Sequence, residues 1–226
     1  MDFSRLEKKG IKNIAYFAKG KRGFVYIGIY KGKRVAIKIK NPKSEPIGRI
    51  KNEAEWLKIL NKHKIGPKFI MFMDDKLIYE FVEGDFILDY IKNNNKENIM
   101  KILKNIFYQM YKLDRLKVNK EEMHHPVKHI IVNKKNQPIL IGAKKSKISG
   151  ISKTAKAVLI DFERTHKVKK PHNVTQFGVF IISSYLMRIL KNRNIIINKN
   201  KFINLLKIYK NNVNKNNFNK ITREMK

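Results

Sequence analysis

The stretch Lys120-Glu-Glu-Met-His-His-Pro-Val-Lys-His-Ile-Ile-Val132 holds three of the chain's six histidines within six positions, beside two carboxylates. Imidazoles and carboxylates at that density can ligate a metal, move a proton or form a basic surface. A second candidate is Ala18-Lys-Gly20-Lys-Arg-Gly23-Phe-Val25, where two glycines sit between apolar runs. Glycine lets a backbone approach an anion closely, so that its N–H groups cradle the charge. Three single residues complete the set. Lys38 ends Val35-Ala36-Ile37-Lys38, Glu53 lies with Glu55 in a helical stretch, and Asp161 ends the apolar run Val158-Leu-Ile. Taken alone, Lys38 reads as a solvated strand lysine and Asp161 as an acid capping the next turn.

The elements that must position these residues are legible. Residues 14–17, 24–30 and 34–40 are short runs rich in β-branched and aromatic residues, the last two joined by a tight turn at Gly32, and the pattern predicts three strands. Ile50, Ala54, Leu57 and Leu60 recur at helical spacing before the stop signal Gly66-Pro67. Phe69–Met73 and Leu77–Val82 flank an Asp-Asp-Lys turn and predict a hairpin, so the order is β-β-β-α-β-β. Beyond Glu83-Gly84 the chain turns mainly helical. Ile99, Ile102, Leu103, Ile106, Phe107, Met110 and Leu113 mark one face of a helix over about 97–115. A strand at 130–132, a Lys-rich segment at 133–157, a strand at 157–160, an apolar helix over about 174–191 and an amphipathic segment at 202–209 follow.

Composition bounds the function. The 226 residues are 42% hydrophobic, enough for a folded core, and carry a formal charge of +33 from 51 Lys+Arg against 18 Asp+Glu. That field suits a polyanion such as RNA or a ribonucleoprotein, and equally fits a Lys- and Asn-rich compositional bias on a solvated surface; both readings stand. With no cysteine, disulfides and thiolate metal sites are excluded. The longest apolar run, 177–187, is too short to span a bilayer, and the first ten residues lack the apolar core of a signal peptide, so a soluble cytoplasmic protein with no membrane partner is expected.

In order and spacing, these features resemble the protein-kinase-like superfamily, in particular its small atypical members of the RIO type. Residues 18–25 resemble the family's G-x-G-x-x-G-x-V loop, with Ala18 for the first glycine and Gly20, Gly23 and Val25 in place. Val35–Lys38 matches V-A-I-K on the third strand. The resemblance implies that Ala36 lines the nucleotide site, that Lys38 reaches the ATP phosphates, and that a helix carboxylate orients it. Glu53 is preferred over Glu55, which is expected to face solvent. Residues 77–84 resemble the hinge, where backbone groups near Glu80 and Val82 would bind adenine. Asp161-Phe162-Glu163 resembles D-F-G with Glu163 for the glycine, which makes Asp161 the Mg²⁺ ligand. Asn173-Val-Thr-Gln-Phe-Gly178-Val resembles D-V-x-S-x-G-V, with Asn173 where the family has Asp. Asn173 comes only twelve positions after Asp161, so the long activation segment of ordinary protein kinases is absent.

The histidine-rich stretch then falls where the family has H-R-D-x-x-x-x-N. Aligned from the preceding helix, Lys120, Glu121, Glu122 and Met123 take the first four places, and Glu122 is the catalytic acid. Aligned from the following strand, His129 takes the place of the metal-binding Asn, and His124 becomes the rival base. A loop two residues longer than usual satisfies both. Imidazole is a poorer Mg²⁺ ligand than oxygen, which makes a single metal, or Mn²⁺, the expectation. Lys128 would contact the γ-phosphate. A zinc site from His124, His125 and His129 ranks below these.

The resemblance thus implies an α+β, bilobal protein-kinase-like fold: a five-stranded antiparallel N-lobe over residues 1–83 and a reduced, mainly helical C-lobe over 84–226. The implied function is ATP-dependent phosphoryl transfer by an atypical Ser/Thr kinase, with ATP and Mg²⁺ as cofactors. The alternatives are a nucleotide-binding pseudokinase or ATPase scaffold acting on RNA or ribosomal particles, and an aminoglycoside-type phosphotransferase, whose acidic substrate lobe a chain this basic does not suit.

Overall fold

The computed structural model of the chain describes residues 1–20, 23–42, 48–133 and 155–225. Helix α1 (Ser4–Lys8) precedes strands β1 (Ile11–Lys19), β2 (Gly23–Tyr30) and β3 (Lys33–Lys40), helix α2 (Arg49–Asn61), and strands β4 (Phe69–Met73) and β5 (Lys76–Glu80). Then come β6 (Gly84–Phe86), α3 (Ile87–Asn93), α4 (Lys96–Arg115), β7 (Val118–Asn119), a 3-10 turn (Pro126–Lys128), β8 (Ile130–Asn133), β9 (Lys156–Leu159) and β10 (His166–Lys167). The chain ends in α5 (Asn173–Ile181), α6 (Ser184–Lys191), α7 (Lys199–Asn211) and α8 (Lys215–Glu224). It divides into two compact units. The first comprises Met1–Val82, Lys117–Glu121 and Leu159–Lys169, and the second Glu83–Leu116, Glu122–Val158 and Lys170–Lys226.

The first unit is built on an antiparallel five-stranded sheet of order β1-β2-β3-β5-β4, and the expected β-β-β-α-β-β order holds. Its hairpins are tight because the turn residues accept left-handed backbone. Lys31 and Gly32 join β2 to β3 with φ of 49° and 75°, and Asp74 and Asp75 join β4 to β5 with 49° and 54°. Strand alternation sorts the side chains of β3. Val35, Ile37 and Ile39 enter a cluster with Leu6, Ile11 and Ile78, so Ala36 and Lys38 face the other side. Helix α2 contacts β3, β4 and β5. Its buried face is Ile50, Glu53, Ala54, Trp56, Leu57 and Leu60, the helical stripe expected from spacing, and Glu55 is exposed.

The glycine turn between β1 and β2 is closed by Gly20 N–H donating to the Gly23 carbonyl at 2.8 Å, while Lys21 and Arg22 lie outside the described residues. Gly23 pairs with Lys40 across the ladder, and a Cβ there would stand 2.5 Å from the Ile39 carbonyl oxygen. Gly23→Ala must therefore part β2 from β3. It should cost about 1–3 kcal/mol of stability in urea unfolding, on the scale of overpacking a well-filled site.

The second unit is mainly helical. The predicted stripe of α4, Ile99 to Leu113, is buried, and Phe107 meets Phe177 of α5 edge-on at 4.8 Å. Strands β6, β8 and β9 form a small sheet. The single helix expected over 174–191 is two. Ile182 ends α5, and Ser183, in extended backbone, accepts the Leu186 N–H to start α6, so a side-chain cap breaks an apolar run that composition alone leaves continuous. The Lys-rich segment at 133–157 lies largely outside the described residues. No helix among the described residues is long and apolar enough to cross a membrane.

Candidate functional site

Within the first unit four charged side chains converge. Lys38, on the α2-facing side of β3, donates to Glu53 Oε2 at 2.7 Å and to Asp161 Oδ1 at 2.9 Å, and lies 3.5 Å from Glu163 Oε2. Helical spacing from Leu57 and Leu60 places Glu53 on the buried stripe, where it is 2% exposed. Burial alone would push the Lys38 ammonium down, but Glu53, Asp161, Tyr79 and Glu163 around it hold it well above the ordinary lysine value. Glu53 is pushed up by burial, opposed by Lys38 and reinforced by the charge of Asp161. Burial also raises the Tyr79 phenol. Lys38 is therefore a permanent cation at neutral pH, facing three carboxyl groups.

The segment carrying Asp161 is pinned from several sides. Phe162 N–H donates to Glu53 Oε1 at 3.2 Å, and the fully buried Phe162 ring lies close to Gly66. Asn52 Nδ2 donates to the carbonyls of Glu163 and Thr165. Lys120, 1% exposed, donates from Nζ to the Asp161 carbonyl at 2.9 Å and sits 5.2 Å from the Phe162 ring centre. Together these contacts hold Asp161 at φ 63°, a left-handed conformation costly for a residue with a Cβ. Its side chain is still 32% exposed.

Glu53, Asp161 and Glu163 offer carboxylate oxygens within 4.8 Å of one another, the only such group of metal-ligand side chains among the described residues. Hard oxygen donors suit Mg²⁺ or Mn²⁺. Three carboxylates against one ammonium leave the cluster two negative charges if all are ionised, which a divalent cation balances. The histidines do not converge in this way. His124 and His125 are exposed, their rings 4.7 Å apart, and no zinc-like cluster forms among the described residues.

In the second unit, Glu122 Oε2 lies 3.0 Å from His129 Nε2, so the two residues named by the rival alignments of the loop meet. Glu122 has φ 69° and its carbonyl accepts the His125 N–H, closing one turn; His129 N–H donates to the Pro126 carbonyl, closing a second. The two turns follow one another along the loop. Lys128 is exposed. In the same unit, buried Asp114 accepts from Asn173 N (2.9 Å), Asn173 Nδ2 (2.7 Å), Val174 N (3.3 Å) and Tyr209 Oη (2.9 Å). Burial raises the Asp114 carboxyl, and the bonds from Asn173, Tyr209 and Val174 oppose it. Asn173, where the family pattern has Asp, is thus a donor to a carboxylate of α4.

Of the residues expected to form the hinge, Glu80 donates its N–H to the Lys68 carbonyl and its carboxylate pairs with Lys33, while Phe81 N–H donates to the Arg34 carbonyl. Val25 and Lys38 are ladder partners, as are Ala36 and Tyr79. Sequence reasoning missed Glu163 as a partner of Lys38, buried Lys120, Asn52 and Asp114. Glu163 alone left a signal: a carboxylate two residues from Asp161, where the family pattern has glycine.

No protein-family model and no curated protein matches the sequence. Among solved structures the chain is similar to the Rio2 kinase of Chaetomium thermophilum, whose crystal structure holds an ADP/Mg²⁺-phosphoaspartate complex. The TM-score is 0.57 at 12% identity, over 84% of this chain and 59% of that one, so this chain spans less than two thirds of its neighbour's length. Identity that low carries the fold alone: the chain has a protein-kinase-like fold of the RIO type.

Proposed function

We propose that the chain is an atypical ATP-dependent Ser/Thr kinase that transfers the γ-phosphate of ATP to a hydroxyl. The observation that carries this reading is the buried Lys38–Glu53 pair joined to Asp161 at 2.9 Å. Phosphoryl transfer requires charge neutralisation and positioning more than covalent chemistry, and a fixed ammonium beside oxygen donors supplies both. Mg²⁺, which the structural neighbour holds with ADP, would be held here by Asp161, and when bound it would neutralise charge developing on the phosphates. Lys38 clamps the phosphates. Glu53 and Glu163 are positioning residues that act through Lys38, and Lys120 positions Asp161 through its carbonyl.

The turn at Gly20 and Gly23 offers backbone N–H groups to the phosphates, and Val25 and Ala36 wall the base, whose edge meets the backbone near Glu80 and Val82. Glu122 positions the acceptor hydroxyl, with His129 Nε2 holding its carboxylate. That pairing favours Glu122 over His124 as the acid and leaves His129 a positioning role before a metal-binding one. Lys128 contacts the γ-phosphate.

Calorimetric titration with ADP, with and without Mg²⁺ or Mn²⁺, tests the reading. Wild type should bind ADP more tightly with the metal, and Asp161→Asn should lose that gain by about 10²–10³-fold, the scale of removing one preorganised electrostatic contact. Metal-independent binding that Asp161→Asn leaves unchanged would refute it. The charge of +33 favours one other reading, a nucleotide-binding scaffold on RNA. ATP binding without turnover, together with RNA affinity that falls steeply with salt, would select it.

A further inference from the structure

A second charged feature belongs to the first unit and plays no part in the Lys38 cluster. Strands β7 and β10 form a two-stranded ribbon, with His166 opposite Asn119 and Lys167 opposite Val118. Val168 N–H extends the pairing by donating to the Lys117 carbonyl at 3.0 Å. Lys117, Lys167, Val168 and Lys169 line one shallow concavity of about 520 Å³. All three lysines are exposed, and Lys117 is fixed at φ 56°, a left-handed conformation that a lysine adopts only when its surroundings impose it. Among the described residues no carboxylate pairs with Lys117 or Lys169. Nearby Glu121 is 3.8 Å from His166 and accepts from Asn119, and Glu163 is turned to Lys38.

The ribbon is continuous with the nucleotide cluster. Lys167 and Lys169 lie six and eight residues beyond Asp161, in the short stretch that stands in place of an activation segment. We propose that this concavity docks an acidic polypeptide segment, and that the phosphoacceptor of this protein is a Ser or Thr flanked by Asp, Glu or phosphorylated residues. The docking stands on the lysines themselves; the identity of the segment as phosphoacceptor rests on the phosphoryl transfer proposed above. Two arguments support an acidic partner. Within about a Debye length of its surface a protein of charge +33 repels a basic substrate, and like charge disfavours the wrong partner while opposite charge favours the right one. Among the described residues the concavity is lined by three lysines and a valine, which offer point charges suited to carboxylates or phosphate groups and no aromatic face on which a nucleobase could stack.

Fluorescence anisotropy at near-physiological salt tests it, using labelled peptides of equal length with a central Ser flanked by Glu, by Gly-Gln or by Lys. MgADP affinity is measured on each preparation. Wild type should bind the Glu peptide at least about tenfold more tightly than the Gly-Gln peptide and the Lys peptide least, and the triple variant K117E/K167E/K169E should lose the preference for the Glu peptide. The milder K117Q/K169Q, which guards against misfolding of the triple variant, should lose part of the preference, and both variants should keep MgADP affinity. Equal binding of the Glu and Gly-Gln peptides, or unchanged binding by the variants, overturns the proposal. So does a single-stranded RNA of equal charge that displaces the Glu peptide and loses affinity in the triple variant while the peptide does not. Discrimination among peptides without any MgADP binding would sustain the docking surface and sink the kinase reading.

Discussion

Lys38→Met should cost the protein about 3–5 kcal/mol of stability at neutral pH, the scale expected when one partner of a buried ion pair is removed. The reason is electrostatic. Lys38 Nζ lies 2.7, 2.9 and 3.5 Å from oxygens of Glu53, Asp161 and Glu163, and its loss leaves three carboxyl groups within 4.8 Å of one another without their cation. The loss should depend on pH with a definite sign. Raising the Glu53 value by burial means that the folded state favours its protonated form, so that contribution to stability is present below the unfolded value of 4.5 and is lost as pH rises through the folded one. Lys38 opposes the rise, and without it the folded value climbs further. The deficit of Lys38→Met relative to wild type should therefore be largest at neutral pH and shrink as pH falls towards 4.5. The contribution of Lys38 itself, whose value is raised, is fully present below 10.5 and fails only in strong alkali. Urea unfolding of both proteins across this range measures the effect. A deficit that is flat or grows towards acid would show that the carboxylates do not repel one another. Nucleotide binding in the same variant, measured at a urea-free pH where it remains folded, should fall by about 10²–10³-fold.

Asp114→Ala should be comparably severe, about 3–5 kcal/mol, for a different reason. Its carboxylate is 1% exposed and satisfies four donors: two from Asn173, the Val174 N–H and the Tyr209 hydroxyl. Two of these are N–H groups at the start of α5, which have no partner inside the helix. Asn173 and Tyr209 are themselves buried, so truncation strands donors that water cannot reach. Tyr209→Phe removes one hydroxyl and leaves the other three bonds, and should cost about 1 kcal/mol. Thermal unfolding of the two variants side by side tests the network. A small, equal loss in both would mean that Asp114 is no organising centre.

Much of the first unit was legible because its signals are local. Alternation in Val35-Ala36-Ile37-Lys38-Ile39 assigns a strand and a face, and the spacing of Glu53, Leu57 and Leu60 puts that glutamate on the buried stripe of α2. The meeting of Lys38 with Glu53 across 15 residues was implied by the resemblance to protein kinases, and helical spacing chose Glu53 over Glu55. The second unit was less legible where helices are short or polar. Helix α8, Lys-Asn-Asn-Phe-Asn-Lys-Ile-Thr-Arg-Glu, has few apolar positions to betray it and is held by Phe218 stacked on Tyr111 at 4.5 Å. The break between α5 and α6 turns on one serine hydroxyl inside an apolar run.

The histidine-rich loop shows the division most clearly. Its composition pointed to a metal, yet His124 and His125 face solvent and His129 is turned to Glu122. By itself the sequence determined the β-β-β-α-β-β order of the first unit, the face on which Lys38 and Glu53 lie, and the positive field, since each depends on residue type and spacing over a few turns of chain. Tertiary structure decided which acid meets which base: Asp161 is 123 residues from Lys38, Lys120 is 41 from the carbonyl it holds, and Asp114 is 59 from Asn173. Such pairings are invisible to periodicity, because a buried polar group takes whatever partner the closed chain brings within hydrogen-bonding distance, and burial is what makes that partner obligatory.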